Sequence, residues 1–252
     1  VAYVEESTRR PLDYWKKNVA STITLLSWAQ EFGVRDIVFS SSCATYGVGS
    51  GIPITEDDEQ FPINPYGQTK LAIEKMLKDL AAQDCIDLAI LRYFNAAGAD
   101  PVGKIGEMHD PETHLIPLVL RACYNPAEKI TIYGRGLPTK DGTCIRDYVH
   151  VTDLASAHVR ALEKISQVKG TIECNLGLGK GVSVLDIVKS AEFVTGRQPT
   201  VVFADPRKGD PEFLVADCSR AKMVLGWNPE YQNIDDIVKT AWNWHEKIWN
   251  EQ

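Results

Sequence analysis

A chain of 252 residues, 44% hydrophobic and 24% charged, has the composition of an ordinary globular protein with room for one large domain or two smaller ones, which excludes disordered, collagen-like and disulfide-dense scaffolds. Its 27 basic and 34 acidic side chains give a net charge of -7, so no broad surface for nucleic acid or anionic lipid is expected and any phosphate site has to be local. The six cysteines, Cys43, Cys85, Cys123, Cys144, Cys174 and Cys218, form no C-x-x-C pair and no histidine stands at zinc-like spacing, which predicts reduced thiols, a cytoplasmic location and no structural metal. The longest charge-free run, between Asp36 and Glu56, is broken by serines, glycines and Pro53, so no membrane span is expected. No basic leader is present, and Val1 to Glu6 reads as the middle of a longer sequence.

From Pro11 to Phe32 the apolar residues Leu12, Trp15, Val19, Ile23 and Leu26 recur at three and four, with Gly33 as a stop, which predicts an amphipathic helix. Asp36 to Phe39 is a short β-branched strand that breaks into Ser40, Ser41 and Ser42, as buried parallel strands do at their carboxyl ends. The next helix runs from about Pro65 to Gln83, and a strand covers Leu88 to Leu91. Further on come a helix from Leu115 to Tyr124, a strand from Lys129 to Tyr133, a helix from Val151 to Ile165 and a strand from Thr171 to Asn175. A helix from Ser183 to Thr195, a strand from Thr200 to Phe203 and a helix from Ile234 to Trp249 complete the series. This alternation predicts an α/β fold with a mainly parallel, doubly wound sheet, and a smaller lobe after about Phe94.

Tyr66 and Lys70 stand at i and i+4 of the second helix, one turn apart on one face. A nearby cation favours the phenolate of a tyrosine and makes it a usable base at neutral pH. Alone the spacing is weak, but Ser42 lies at a strand end two dozen residues earlier, where ligands gather, and a hydroxyl there can face Tyr66. The combination resembles the extended short-chain dehydrogenase/reductase family. Within it the sequence is most similar to the UDP-glucose (UDP-galactose) 4-epimerases, through Phe39 to Ser42, Asn64 to Lys70, Leu91 to Gly98, Asp141 to Val151 and Arg207 to Pro211.

That resemblance implies a Rossmann-type domain over residues 1–94 carrying a catalytic trio of Ser42, Tyr66 and Lys70. It implies a UDP-sugar-binding lobe over 95–252, with some segments returning to the Rossmann sheet. By position it implies NAD contacts at Asn18, Ser40, Tyr66, Lys70 and Tyr93, and UDP-sugar contacts at Ser42, Asn95, His114, Leu115, Tyr133, Arg146, Arg207, Asp210 and Leu214. The implied reaction interconverts UDP-glucose and UDP-galactose through a 4-keto sugar, in a homodimer. Arg146 and Arg207 are planar forks suited to a diphosphate, and Tyr133 can stack on uracil or sit in the core. Leu214 falls where the family sets the room beside the sugar C2 substituent, and its intermediate size predicts a preference for the sugars without an N-acetyl group.

The sequence departs from the family in lacking its opening strand, G-x-x-G-x-x-G turn and helix, the first parts of the Rossmann sheet. The cluster from Gly177 to Gly181 sits too late to replace them and is expected to be a loop. Two other functions stay open at this point: a UDP-arabinose (UDP-xylose) 4-epimerase, and a UDP-sugar-binding fragment without activity. A sugar 4,6-dehydratase needs an acid and base where Cys43 and Ala44 stand, which argues against it. His109, His150, His158 and His245 are expected to pack or face solvent.

Overall fold

The computed structural model describes residues 1–49, 53–168, 170–205 and 211–251. In chain order these form α1 (Val4–Arg9), α2 (Pro11–Tyr14), a π-helical turn (Trp15–Ala20), α3 (Ser21–Glu31), β1 (Asp36–Ser42), α4 (Pro65–Ala82), β2 (Asp87–Tyr93) and β3 (Asn95–Ala97). There follow α5 (Leu115–Tyr124), β4 (Lys129–Tyr133), β5 (Ile145–His150), α6 (Val151–Ile165), β6 (Ile172–Leu176), β7 (Gly181–Ser183) and α7 (Val184–Thr195). The last elements are β8 (Thr200–Ala204), β9 (Phe213–Leu214), α8 (Ser219–Leu225) and α9 (Ile234–Asn250). The fold is α/β, as the alternation predicts.

Two compact units share these elements. The first comprises Val1–Phe94, Ala155–Leu176 and Ala216–Trp227; the second comprises Asn95–Leu154, Gly177–Val215 and Asn228–Gln252. The first unit is built on a parallel sheet in the order β1-β2-β6. Leu88, Ala89, Ile90 and Leu91 of its central strand have no exposure, because a parallel sheet is covered on both faces and selects continuous apolar runs. Leu26, Ile73, Leu77 and Ile86 pack with that strand, each fully buried large aliphatic side chain contributing about 1.5–3 kcal/mol. In the second unit β4 pairs in parallel with β8, and β5 pairs in parallel with β3 and β9 but antiparallel with β7. Its core joins Val119 and Leu120 of α5 to Ile187 of α7 and Ile237 and Val238 of α9.

Several boundaries differ from expectation for physical reasons. The helix expected over 11–32 contains a π-helical turn, and an additional short helix, α1, precedes it. β1 does not break at Ser40 but continues through Ser42, because all three serines keep their register with Leu91, Arg92 and Tyr93. Gly181 belongs to β7 rather than to a loop; a Cβ there would stand 2.5 Å from Ile145 Cγ2, so only glycine admits the close approach of the partner strand. The other glycines of that cluster lie in irregular chain.

Candidate active site

In the first unit, β1 and α4 bring the Ser-Tyr-Lys set together. Asn64 caps α4 by accepting from the Gly67 amide at 2.8 Å, and Pro65 occupies the first turn, where its missing N–H costs nothing. Gly67 then decides how close the helix comes to the turn after β1. A Cβ at Gly67 would lie 2.4 Å from the Ala44 carbonyl oxygen, so only glycine lets Tyr66 settle beside Ser42. Ser42, extended at φ -152 and ψ 148, caps that turn by accepting from the Ala44 amide at 3.2 Å. Neither Cys43 nor Ala44 in the turn supplies an acid–base group.

Tyr66 is buried, and burial pushes its phenol pKa well up from the ordinary value, while a hydrogen-bond interaction with the Ser42 side chain works in the opposite direction. Burial thus works against the phenolate that a nearby cation is expected to favour. The Lys70 Nζ is 5.9 Å from the Tyr66 ring centroid, and burial lowers the lysine's own pKa. Lys70 donates one hydrogen bond, to the Ser40 carbonyl oxygen at 2.8 Å, and rests over the Phe39 ring at 5.0 Å. Two of its three N–H donors remain for a ligand.

Around this set lie Ser40 and Tyr93. The Ser40 hydroxyl sits 2.7 Å from His158 Nε2, and the Tyr93 ring is 6.4 Å from that imidazole. Burial raises the Tyr93 pKa, partly offset by hydrogen bonding with Ser40. His158, expected to pack or solvate, therefore takes part in the cluster; it arrives from α6, 118 residues away, and no local pattern marks it. Asn18 is buried in the π-helical turn, and its amide donates to Thr69 Oγ1 at 3.0 Å.

Beneath the trio, α4 is held by a buried ion network that sequence reasoning missed. Glu74, one further turn along the face of Tyr66 and Lys70, is fully buried and takes a bidentate contact from Arg92 of β2, with Nε to Oε1 at 3.0 Å and Nη2 to Oε2 at 2.7 Å. Ser41 Oγ also donates to Glu74, and Gln60 Nε2 donates to it at 3.0 Å. Arg92 further reaches Tyr46 Oη at 3.0 Å and Glu173 at 2.5 Å. This lattice fixes the rotation of α4 about its axis, and hence the aim of Tyr66 and Lys70.

Within the second unit, the remaining candidates occupy strand and helix ends. Asn95 opens β3 opposite Tyr148, and Leu115 opens α5 with its side chain against the core. Tyr133 ends β4 and is 40% exposed, which rules out a place in the core. Arg146 lies in β5, donates to the Ile145 carbonyl oxygen at 2.9 Å and faces Leu214 of β9 across the ladder. His114 caps α5 through its backbone position, and Glu107 and then Glu112, hydrogen-bonded to its ring, push its pKa up to about 10. Arg207 and Asp210 lie outside the described residues. All six cysteines are free thiols, and among the described residues no helix is long and apolar enough to cross a membrane.

The NAD-contact candidates fit such a group by their donor set: an ammonium with two spare donors beside a buried phenol and hydroxyl, at the carboxyl end of a parallel sheet, suits the ribose hydroxyls of a dinucleotide.

Residues 1–177 match the model of the NAD dependent epimerase/dehydratase family. The chain is 47% identical over 244 residues to the UDP-glucose 4-epimerase of Halalkalibacterium halodurans, covering 97% of this chain and 73% of that one. It is also similar to the crystal structure of UDP-glucose 4-epimerase from Brucella ovis in complex with NAD, with TM-score 0.92, 47% identity and coverage of 96% and 74%. The Bifidobacterium longum UDP-glucose 4-epimerase in complex with NAD+ and UDP gives TM-score 0.94 at 36% identity, with coverage of 100% and 76%.

Proposed function

The chain belongs to the NAD dependent epimerase/dehydratase family, and from that premise we propose that it interconverts UDP-glucose and UDP-galactose with NAD, by way of a 4-keto sugar. The observation that carries the assignment of roles is the Ser42-Tyr66-Lys70 set, gathered by β1 and α4 into one cluster in which Ser42 and Tyr66 are buried and Lys70 reaches Ser40.

Tyr66 takes the proton of the sugar 4-hydroxyl, directly or through Ser42, and returns it when the new alcohol forms. When bound, NAD supplies the acceptor and then the donor of the C4 hydride. Lys70 directs its spare N–H donors to ribose hydroxyls and sets its charge beside the phenol. Ser42 lowers the cost of the phenolate by hydrogen bonding to it. Asn95, Leu115, Tyr133, Arg146, Arg207 and Asp210 hold the UDP, with His114 beside them at the start of α5. Firm anchoring of the nucleotide leaves the hexose loosely held, so the keto sugar turns about its diphosphate and presents its other face.

Inversion thus requires tight binding of UDP and weak binding of sugar, the division expected when binding energy is not spent on one epimer alone. A homodimer belongs to the same reading, with its contact assigned to α3, whose apolar face is exposed, together with α4.

Tyr66→Phe removes the ionisable oxygen and keeps the ring, so turnover should fall by about 100- to 10,000-fold while UDP affinity stays within a few-fold. Near-normal turnover in this variant would overturn the role of Tyr66.

A further inference from the structure

Four side chains of the second unit, Glu107, His109, Glu112 and His114, converge in the stretch between β3 and α5, and no step of the proposed reaction needs all four. One ligand atom from each lies within 4.8 Å of every other. Both imidazoles aim Nδ1 at the same carboxylate oxygen: His109 Nδ1 is 2.8 Å and His114 Nδ1 2.6 Å from Glu107 Oε1. His114 Nδ1 is also 2.9 Å from Glu112 Oε1, and His109 Nδ1 is 3.8 Å from Glu112 Oε2. The two rings stand 4.9 Å apart between centroids.

We propose that this cluster is a divalent transition-metal site of the zinc class, with Glu107, His109, Glu112 and His114 as its four ligands. Zinc bonds of about 2.0–2.1 Å in a tetrahedron put neighbouring ligand atoms about 3.3 Å apart. The nitrogen–oxygen separations of 2.6 to 3.8 Å bracket that value and the whole set lies within 4.8 Å, so rotation of partly exposed side chains brings it onto a cation. The pair of histidines selects against magnesium and calcium, which take oxygen ligands, and two carboxylates with two neutral imidazoles balance a double positive charge.

Spacing favours the same reading. The ligands follow one another at intervals of two, three and two residues, so closing the chelate orders only a short loop. Four protein ligands leave no open position in a tetrahedron, which makes the site structural: it pins the segment leading into α5. Where no cation is bound, protons bridge these nitrogens and carboxylates, and metal binding displaces them. Among the described residues no other set of histidine, cysteine and acidic side chains is so gathered.

The test is titration of chelator-treated protein with Co2+ alone, followed by visible absorption. The expected result is an intense tetrahedral d–d band that saturates at one equivalent, shows no thiolate charge transfer and is erased by one equivalent of Zn2+. His109→Ala should abolish the band. Glu107→Gln, which keeps the side-chain shape and so guards against misfolding as the cause, should abolish it as well. Loaded wild-type protein should also melt at higher temperature than the metal-free form, a shift absent from both variants. Absence of a saturable band, or a band equally strong in both folded variants, would overturn the site and leave a hydrogen-bonded cluster only. Neither result depends on turnover, so failure of this site and failure of the epimerase reading are separable.

Discussion

Removing the Glu74 carboxylate tests whether the buried ion network positions the catalytic helix. Glu74→Gln keeps the shape and one acceptor oxygen, but the Arg92 guanidinium, 1% exposed, loses a charge-assisted bidentate partner at 3.0 and 2.7 Å. Two hydrogen bonds to charged groups are worth about 1.5–3 kcal/mol each, and breaking a buried pair from one side typically costs 3–5 kcal/mol. Glu173 still holds the guanidinium at 2.5 Å, which places the expected loss at about 3 kcal/mol. For a chain of this size that lowers the melting temperature by about 6–12 °C. Glu74→Leu combined with Arg92→Met removes both charges and should recover most of the loss, since apolar replacement of a whole buried pair is often neutral. The assay is thermal and urea unfolding of the wild type, the single variants and the double variant as a cycle. A shift under about 2 °C in Glu74→Gln, or strictly additive effects in the cycle, would refute the reasoning.

Ser42→Ala removes the interaction that draws the Tyr66 pKa down, so the acid limb of kcat/KM should move to higher pH; an unmoved limb in the pH profile contradicts the pairing. Leu214→Ser should narrow the preference for UDP-glucose and UDP-galactose over their N-acetylated counterparts by about ten- to a hundredfold in kcat/KM, and an unchanged ratio refutes contact with the sugar. Leu25, Trp28 and Phe32 are 63%, 59% and 78% exposed at i, i+3 and i+7 of one helical face, so Trp28→Glu should shift sedimentation from two subunits to one; a wild-type mass of one subunit refutes the dimer. Burial lowers the pKa of His150, whose ring lies 2.9 Å from Thr240 Oγ1 and accepts from the Thr152 amide at 3.1 Å. Its folded pKa is thus below the unfolded value near ~6.5, so its contribution is complete above that pH and declines as pH falls, by up to about 1.4 kcal/mol per unit. The melting temperature of His150→Gln should therefore fall less between about pH 6.5 and 5 than that of the wild type, and equal slopes refute it.

Long periodic elements were legible in the sequence because burial imposes the period. α5, β4 and α6 begin and end where the pattern places them, and α4 departs by one residue at its end. The short strands were not legible. β5 reads Ile-Arg-Asp-Tyr-Val-His, and its Asp147 and His150 are buried because the fold satisfies them: Asp147 accepts from the amides of Leu178 and Gly179 at 2.7 and 2.9 Å, and His150 pairs with Thr240. Such partners lie 31 to 90 residues away, so alternation is lost locally while the strand persists. The π-helical turn is hidden for a related reason, since one extra residue per turn barely disturbs an amphipathic pattern.

In the site, the sequence carried the Tyr66 and Lys70 spacing and the serine at the strand end. It could not carry His158 or the Arg92-Glu74 pair, whose members meet only in the folded sheet. Nor did it show how deeply Tyr66 is buried. Residue type pointed to a cation-stabilised phenolate, but burial is the larger influence and acts the other way. The cluster of Glu107, His109, Glu112 and His114 escaped because imidazoles and carboxylates in a non-helical stretch carry none of the cysteine pairing that marks a zinc motif in sequence.

The central claim is tested most directly by incubating the protein with NAD and UDP-galactose in D2O and following the sugar by NMR. The account predicts conversion to UDP-glucose, with the same equilibrium mixture reached from either sugar and protium retained at C4, and loss of that conversion in Tyr66→Phe. Deuterium at C4 of the product, or no interconversion with NAD present, would contradict it.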